Sequence, residues 1–197
     1  MTCLYTLPAH DGFVTIVTLT ITYSPVARSA LAVLLGVALL GACNPSLNWR
    51  ETRIKDTALV AMLPCKPDAG ARTVPLGGRD VVLHMTGCDA GGATFAIAHA
   101  TVASADTVPA VLFQWRKAAL ANLGAMASRE VPLGGALRSG ATAPMRVMAE
   151  GRRQDGNAVA MQATWFAKDA QIFHAVVYAE RISPEVTEAF FSGLEFK

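Results

Sequence analysis

One cysteine in this sequence stands where lipid chemistry needs it. Leu40-Gly41-Ala42-Cys43 ends a charge-free apolar run, Ser29 to Ala42, that follows Arg28. The run has the length of a signal-peptide core and falls short of the roughly 20 apolar residues of a spanning helix. Gly41 and Ala42 are small enough to let a peptidase reach the backbone. The Cys43 thiol can take a diacylglycerol, and its freed amine can take a further acyl chain such as palmitate. Leu40, Gly41, Ala42 and Cys43 are therefore read as a signal peptidase II lipobox, with Cys43 as the lipidation site.

The remaining chemistry-bearing residues are scattered. Cys65 and Cys88 follow the anchor, and in an oxidising envelope such a pair is a disulfide candidate. Two separate buried thiols is the competing reading. A redox pair has little support, because nothing resembles C-x-x-C. His84, His99 and His174 each sit alone in strand-like runs, so ligand spacing for a metal is missing and core positions are expected. The serines fall in turns and caps, no G-x-S-x-G is present, and the acids are dispersed. Gly91-Gly92 and Gly134-Gly135 lack the context of a phosphate loop. No enzyme, metal or cofactor is expected.

Composition sets further bounds. Cleavage before Cys43 removes 42 of the 197 residues and leaves 155, enough for one domain with a real core. The net charge is +2, without a basic stripe interleaved with aromatics, so a nucleic-acid partner is not expected. The basic doublet Arg152-Arg153 lies in a glycine-bounded turn and reads as solvated charge, with a lipid-headgroup or partner contact as the alternative. Residues 1–42 form the expected signal peptide. That is long for a leader, and Met1 to Ala27 holds no Lys or Arg, so either a translation start nearer Val26 or a long two-part leader explains it. Residues 43–56 read as a lipidated tether and 57–197 as the domain. Asn44 is not the aspartate that favours inner-membrane retention. By resemblance to known lipoprotein sorting, the anchor is expected on the periplasmic face of the outer membrane.

The elements that must carry these residues follow from periodicity. Thr57–Leu63, Arg79–Thr86 and Ala93–Ala103 read as strands, with turns at Pro67–Ala71, Gly77-Gly78 and Gly87–Gly92. In the third strand Phe95, Ile97, His99 and Thr101 share one face, and Ala96, Ala98, Ala100 and Val102 the other. A helix packed closely on the alanine face is the simplest expectation. One strong helix is expected from Pro109 to about Ala127, capped by Asp106 or Thr107. Its core stripe is Leu112, Trp115, Ala119, Leu123 and Met126. Met145–Glu150, Ala158–Phe166 and Ile172–Glu180 read as an antiparallel meander. Ser183-Pro184-Glu185 starts a short helix that Gly193 stops, before an extended tail. Val74-Pro75-Leu76-Gly77-Gly78 recurs as Val131-Pro132-Leu133-Gly134-Gly135, read as a shared strand-turn solution. The fold class expected is α+β. One antiparallel sheet of about six or seven strands is flanked by a long helix and a short C-terminal helix.

Three features carry a family resemblance: Leu63-Pro64-Cys65-Lys66-Pro67 after a strand, the single long helix, and the closing Phe190-Phe191-Ser192-Gly193-Leu194-Glu195-Phe196. Together they resemble the PsbP-like/DcrB-like group of small exported domains. The lipobox with Asn48-Trp49-Arg50 resembles a set of uncharacterised Gram-negative envelope lipoproteins. The resemblance implies an antiparallel sheet flanked by helices and a non-enzymatic accessory, assembly or binding role. Only the lipobox cysteine carries over as a functional residue. The leading expectation is a lipid-anchored accessory or protein-interaction domain with an envelope partner not identifiable from sequence. The alternative is a small-ligand or lipid-binding module. In that case the alanine-rich sheet face leaves a pocket beneath the helix.

Overall fold

The computed structural model describes residues 47–133, 137, 141–152 and 155–197. The lipobox, Cys43 and the rest of the expected leader lie outside the described residues. Ser46–Lys197 forms a compact unit of its own.

Ten strands and two helices are described. The strands are β1 (Arg50–Arg53), β2 (Leu59–Leu63), β3 (Asp68–Leu76), β4 (Arg79–Ala90), β5 (Ala93–Thr101), β6 (Ser128–Val131), β7 (Thr142–Arg152), β8 (Ala158–Lys168), β9 (Gln171–Ala179) and β10 (Glu195–Phe196). The helices are α1 (Val108–Asn122) and α2 (Pro184–Ser192). Strands β3 to β9 form a seven-stranded sheet in the order β3-β4-β5-β9-β8-β7-β6, with every neighbouring pair antiparallel. The expected α+β class and its strand number hold for this sheet. A second sheet, β1-β2-β10, was not expected. It draws Arg50–Arg53 into the fold and buries Ile54 completely, so regular structure begins within the stretch read as a tether.

Both faces of the large sheet are covered, because alternation in its central strands is apolar on both sides. One face carries Leu83, Ala98, Ala100, Met161, Ala163, Trp165, Ile172 and Val176 and packs against Val108, Val111, Leu112 and Trp115 of α1. The other carries Phe95, Ile97, Phe166, Phe173, Ala175 and Val177. It packs against Leu59, Ala61 and Leu63 of β2 and Phe190 and Phe191 of α2. Trp49 docks on this second core, edge-on to Phe95 at 6.0 Å between ring centroids. The hairpins β3–β4 and β4–β5 turn on Gly77-Gly78 and Gly91-Gly92. All four glycines have positive φ, the signature of the type I′ turn that matches sheet twist.

Several local expectations are corrected. Pro67–Ala71 is not a turn: β3 begins at Asp68, at the sheet edge, where Gly70 and Pro75 are tolerated. The turn at Gly87–Gly92 shrinks to Gly91-Gly92, since β4 runs on to Ala90. The long helix ends at Asn122, not near Ala127. Gly124 takes φ 64°, the Gly124 amide donates to Ala121 O at 2.9 Å and the Ala125 amide to Leu120 O at 3.1 Å. That is a Schellman stop. Met126 therefore leaves the helix and is 99% exposed instead of joining the core stripe. No side chain caps the start of α1. A 3₁₀ turn, Ala105–Thr107, leads in, and the Thr107 hydroxyl donates back to Ser104 O at 2.8 Å. The short helix α2 starts as expected, with the Val186 amide donating to Ser183 Oγ at 3.5 Å.

Candidate functional site

The connection from β5 to β6 crosses one face of the large sheet as α1, and both ends of that helix are pinned. Near its start, Val111 fills the space that a side chain at Gly77 would need. Just past its end, Leu123 O accepts the Arg152 amide at 3.0 Å. Gly151 permits this approach, since a Cβ there would stand 2.1 Å from Leu123 O. Between the pins the sheet presents Ala96 and Ala98, too small to fill the gap. The result is a cleft of about 570 Å³ between helix and sheet. Ligand pockets for small molecules are commonly of this size.

The floor of the cleft comes from Leu83 and Met85 of β4, Ala96 and Ala98 of β5, Val159 of β8, and His174, Val176 and Tyr178 of β9. Trp115, Ala118, Ala119 and Asn122 of α1, with Leu123, form the roof. Arg72 and Arg152 enter from β3 and β7. The rim residues Arg72, Ala118, Asn122 and Arg152 are exposed, so the cleft opens to water there. No Asp or Glu is among the lining residues.

His174 is the unusual group in the floor. Its ring stacks on Trp165 at 4.6 Å between centroids and meets Trp115 edge-on at 5.4 Å. Nε2 is buried and without a hydrogen-bond partner among the described residues. Burial pushes its pKa from the ordinary 6.5 down to about 3, so the imidazole is neutral at physiological pH. Burial also raises the Tyr178 hydroxyl above its ordinary value, keeping it a neutral hydrogen-bonding group. The site can thus hold an apolar body against aromatic and alanine surfaces. Polar groups wait at its edge, and no nucleophile–base pair lines it.

The other sequence-selected residues lie elsewhere. Cys65 and Cys88 are brought together, their sulfurs at bonding distance, 2.01 Å. They link the segment after β2 to β4. His99 stacks between His84, at 5.0 Å, and Phe173, at 5.9 Å, on the face opposite the cleft. Its pKa is lowered by burial and then by the neighbouring His84, against an opposing pull from Asp56. His99 is buried as expected, whereas His84 is only half-buried. Among the described residues no group of three His, Cys, Asp or Glu side chains could hold a metal ion. Among them, too, no helix is long and apolar enough to cross a membrane.

Sequence reasoning singled out Ala96 and Ala98 but missed Arg72, Asn122, Arg152 and Tyr178 as site residues. Arg72 follows the stretch expected as a turn, and Arg152, for which solvated turn charge is the leading expectation ahead of a lipid-headgroup or partner contact, ends strand β7. The missed signal was register: Arg72 opposes Leu83, two positions along β4 from Met85, which itself opposes Ala98.

No family model and no curated protein matches this chain. Among solved structures, a protein of unknown function from Pseudomonas aeruginosa is similar over 70% of this chain and 84% of its own, at 12% identity and a TM-score of 0.31. A likeness at that level assigns neither a fold family nor a function.

Proposed function

We propose that this chain is a lipid-anchored envelope protein. Its domain holds an apolar or amphipathic small molecule in the cleft beneath α1. The observation that carries the binding role is the cleft itself. A helix pinned at both ends spans an alanine floor and leaves about 570 Å³ lined by Trp115, Leu83 and Val176. A helix seated tightly on Ala96 and Ala98 would have left no such space. The anchoring role rests on Leu40-Gly41-Ala42-Cys43, and the periplasmic face of the outer membrane on Asn44. The order of elements, with a long crossing helix and a short helix before the last strand, supports a place near the PsbP-like/DcrB-like group. An accessory role in the envelope is compatible with ligand holding, since a carrier and its partner can share one domain.

Two measurements test this reading. Metabolic labelling with an alkyne palmitate analogue should mark the full chain and fail on Cys43→Ser. Labelling that survives the substitution removes the anchor. The compact unit Ser46–Lys197, which contains both cores entire, should bind the neutral apolar probe N-phenyl-1-naphthylamine with enhanced fluorescence. Ala118 is an exposed rim residue of α1, so Ala118→Trp fills the mouth without disturbing the core. Probe binding should fall at least about tenfold in Ala118→Trp. Equal binding to both proteins would remove the cleft as the site.

A further inference from the structure

Building on the ligand-holding role of the cleft, we infer that its occupant is a single-chain anionic amphiphile. One acyl chain lies along the alanine floor, and its one negatively charged head lies at the exposed rim, on either of the two arginines, Arg72 of β3 or Arg152 of β7, that enter it. Three observations converge on this class. The first is charge: the cleft takes both its formal charges from guanidinium groups, with no carboxylate in its lining. The second is that these guanidinium groups are unspent. Among the described residues neither Arg72 nor Arg152 has a carboxylate within salt-bridge distance. The protein contact of the Arg152 head is a neutral one, Nη1 donating to Gly156 O at 2.9 Å. A planar guanidinium with free donors is suited to a carboxylate or phosphate, which it can grip with two parallel hydrogen bonds. The third is shape. Between the arginines the lining is apolar through Leu83, Ala98, Trp115 and Val176, with a neutral His174, so no buried charge meets a hydrocarbon chain. The volume suits one chain and is small for a two-chain phospholipid.

A fatty acid and a lysophospholipid share this chemistry, one chain and one anionic head. Competition against bound N-phenyl-1-naphthylamine on Ser46–Lys197 separates the possibilities. Palmitate, lysophosphatidylglycerol and uncharged palmityl alcohol are compared below their aggregation limits. The expected result is displacement by one or both anions at about tenfold lower concentration than by the alcohol, the scale of partly exposed charge-assisted contacts. The stronger anion identifies the source. In the double variant Arg72→Gln/Arg152→Gln the gap, read as the ratio of acid to alcohol on the same protein, should close to under about threefold. The same closure is expected in wild type at 1 M salt, where screening is short-ranged. Equal competition by acid and alcohol, or a gap that survives in the double variant, would overturn the anionic class and leave the apolar-ligand reading standing. Failure of the neutral probe to bind in the first place would overturn both.

Discussion

The imidazole of His174 lies nearly parallel to the indole of Trp165, with 12° between planes and 4.6 Å between centroids. This contact keeps a titratable ring inside an apolar layer, and acid should expose the cost. Burial holds the folded-state pKa near 3, against 6.5 for the free side chain. Between those values the unfolded chain takes up a proton that the folded chain refuses. Stability therefore rises with pH across this window and falls as pH drops through it, by up to about 1.4 kcal/mol per unit. His99 adds a contribution of the same sign, since its pKa is also lowered. From pH 7 to pH 5 the loss from His174 should be about 2 kcal/mol in urea-unfolding free energy. His174→Phe keeps an aromatic ring at the site and should flatten most of that slope. An unchanged slope in this variant would show that His174 is not the group responsible.

A second prediction concerns a buried cation under α2. The Arg146 side chain is 1% exposed and pairs with Glu188, which is 61% exposed, at 2.8 Å. It also donates to Gln162 Oε1 at 2.9 Å and lies 4.2 Å from the centre of the Phe191 ring. The two partners should therefore respond unequally. Arg146→Ala strips Gln162 of its donor and opens a void, for a loss of about 3 kcal/mol or more. Glu188→Ala keeps the Gln162 and Phe191 contacts but leaves the buried guanidinium without its counter-charge, and should cost less than Arg146→Ala, about 1–2 kcal/mol. Arg146→Met should recover much of the loss, because an apolar side chain of similar length needs no counter-charge. Chemical denaturation of the three variants gives the order, and equal losses at both positions would contradict it.

The parts of this fold legible in sequence are those with strong local signals. Alternation along Ala158–Phe166 and Ile172–Glu180 placed two central strands, which the structure forms over Ala158–Lys168 and Gln171–Ala179, and Ser183 with Pro184 marked the start of α2. The three-stranded sheet was hidden because its evidence is long-range. Arg50–Arg53 has no apolar alternation, Glu195–Phe196 is two residues long, and both become strands only by pairing with Leu59–Leu63. The helix overrun to Ala127 came from following the apolar spacing past Gly124, when the glycine outranks a methionine at the next stripe position. At the site, the small-residue face of β5 was visible, but its consequence was not. Whether alanines mark tight packing or a void depends on how far the helix is held off. That is decided by remote contacts, Val111 at Gly77 and Leu123 at Gly151. Arg72 and Arg152 lie 80 positions apart and share the cleft only through the sheet order.

The sulfur pair gives a third prediction. Cys65 and Cys88 are 23 positions apart, and a bridge between them restricts the unfolded chain by about 3 kcal/mol in the chain-entropy model. Cys65→Ser/Cys88→Ser should lower stability by about that amount. Intact mass of the oxidised protein should sit two hydrogens below that of the reduced form. Two thiols that alkylate freely in the native, unreduced protein would remove the bridge and with it the expected loss.

The fourth prediction joins stability to the cleft. Gly151 is closely covered by Leu123, and an added Cβ would fall 2.1 Å from its carbonyl oxygen and 2.7 Å from its Cγ. Backbone cannot give way there as a side-chain tip can, so Gly151→Ala must lift the C-terminal end of α1. The cost should be about 2–3 kcal/mol, typical of overpacking at a well-filled site. Gly156 supplies the control in the same hairpin: its φ is 84°, but no atom lies within 4 Å of an added Cβ. Gly156→Ala should cost about 1 kcal/mol of backbone strain alone. The two variants should then differ in a second respect. Lifting α1 breaks the hydrogen bond from the Arg152 amide to Leu123 O and displaces Asn122 and Leu123 from the cleft roof. Probe affinity should therefore change in Gly151→Ala and stay constant in Gly156→Ala. If both variants keep wild-type affinity, the pin at Leu123 does not set the cleft's shape, and the helix must be held off the alanine floor by Trp115 on His174 instead.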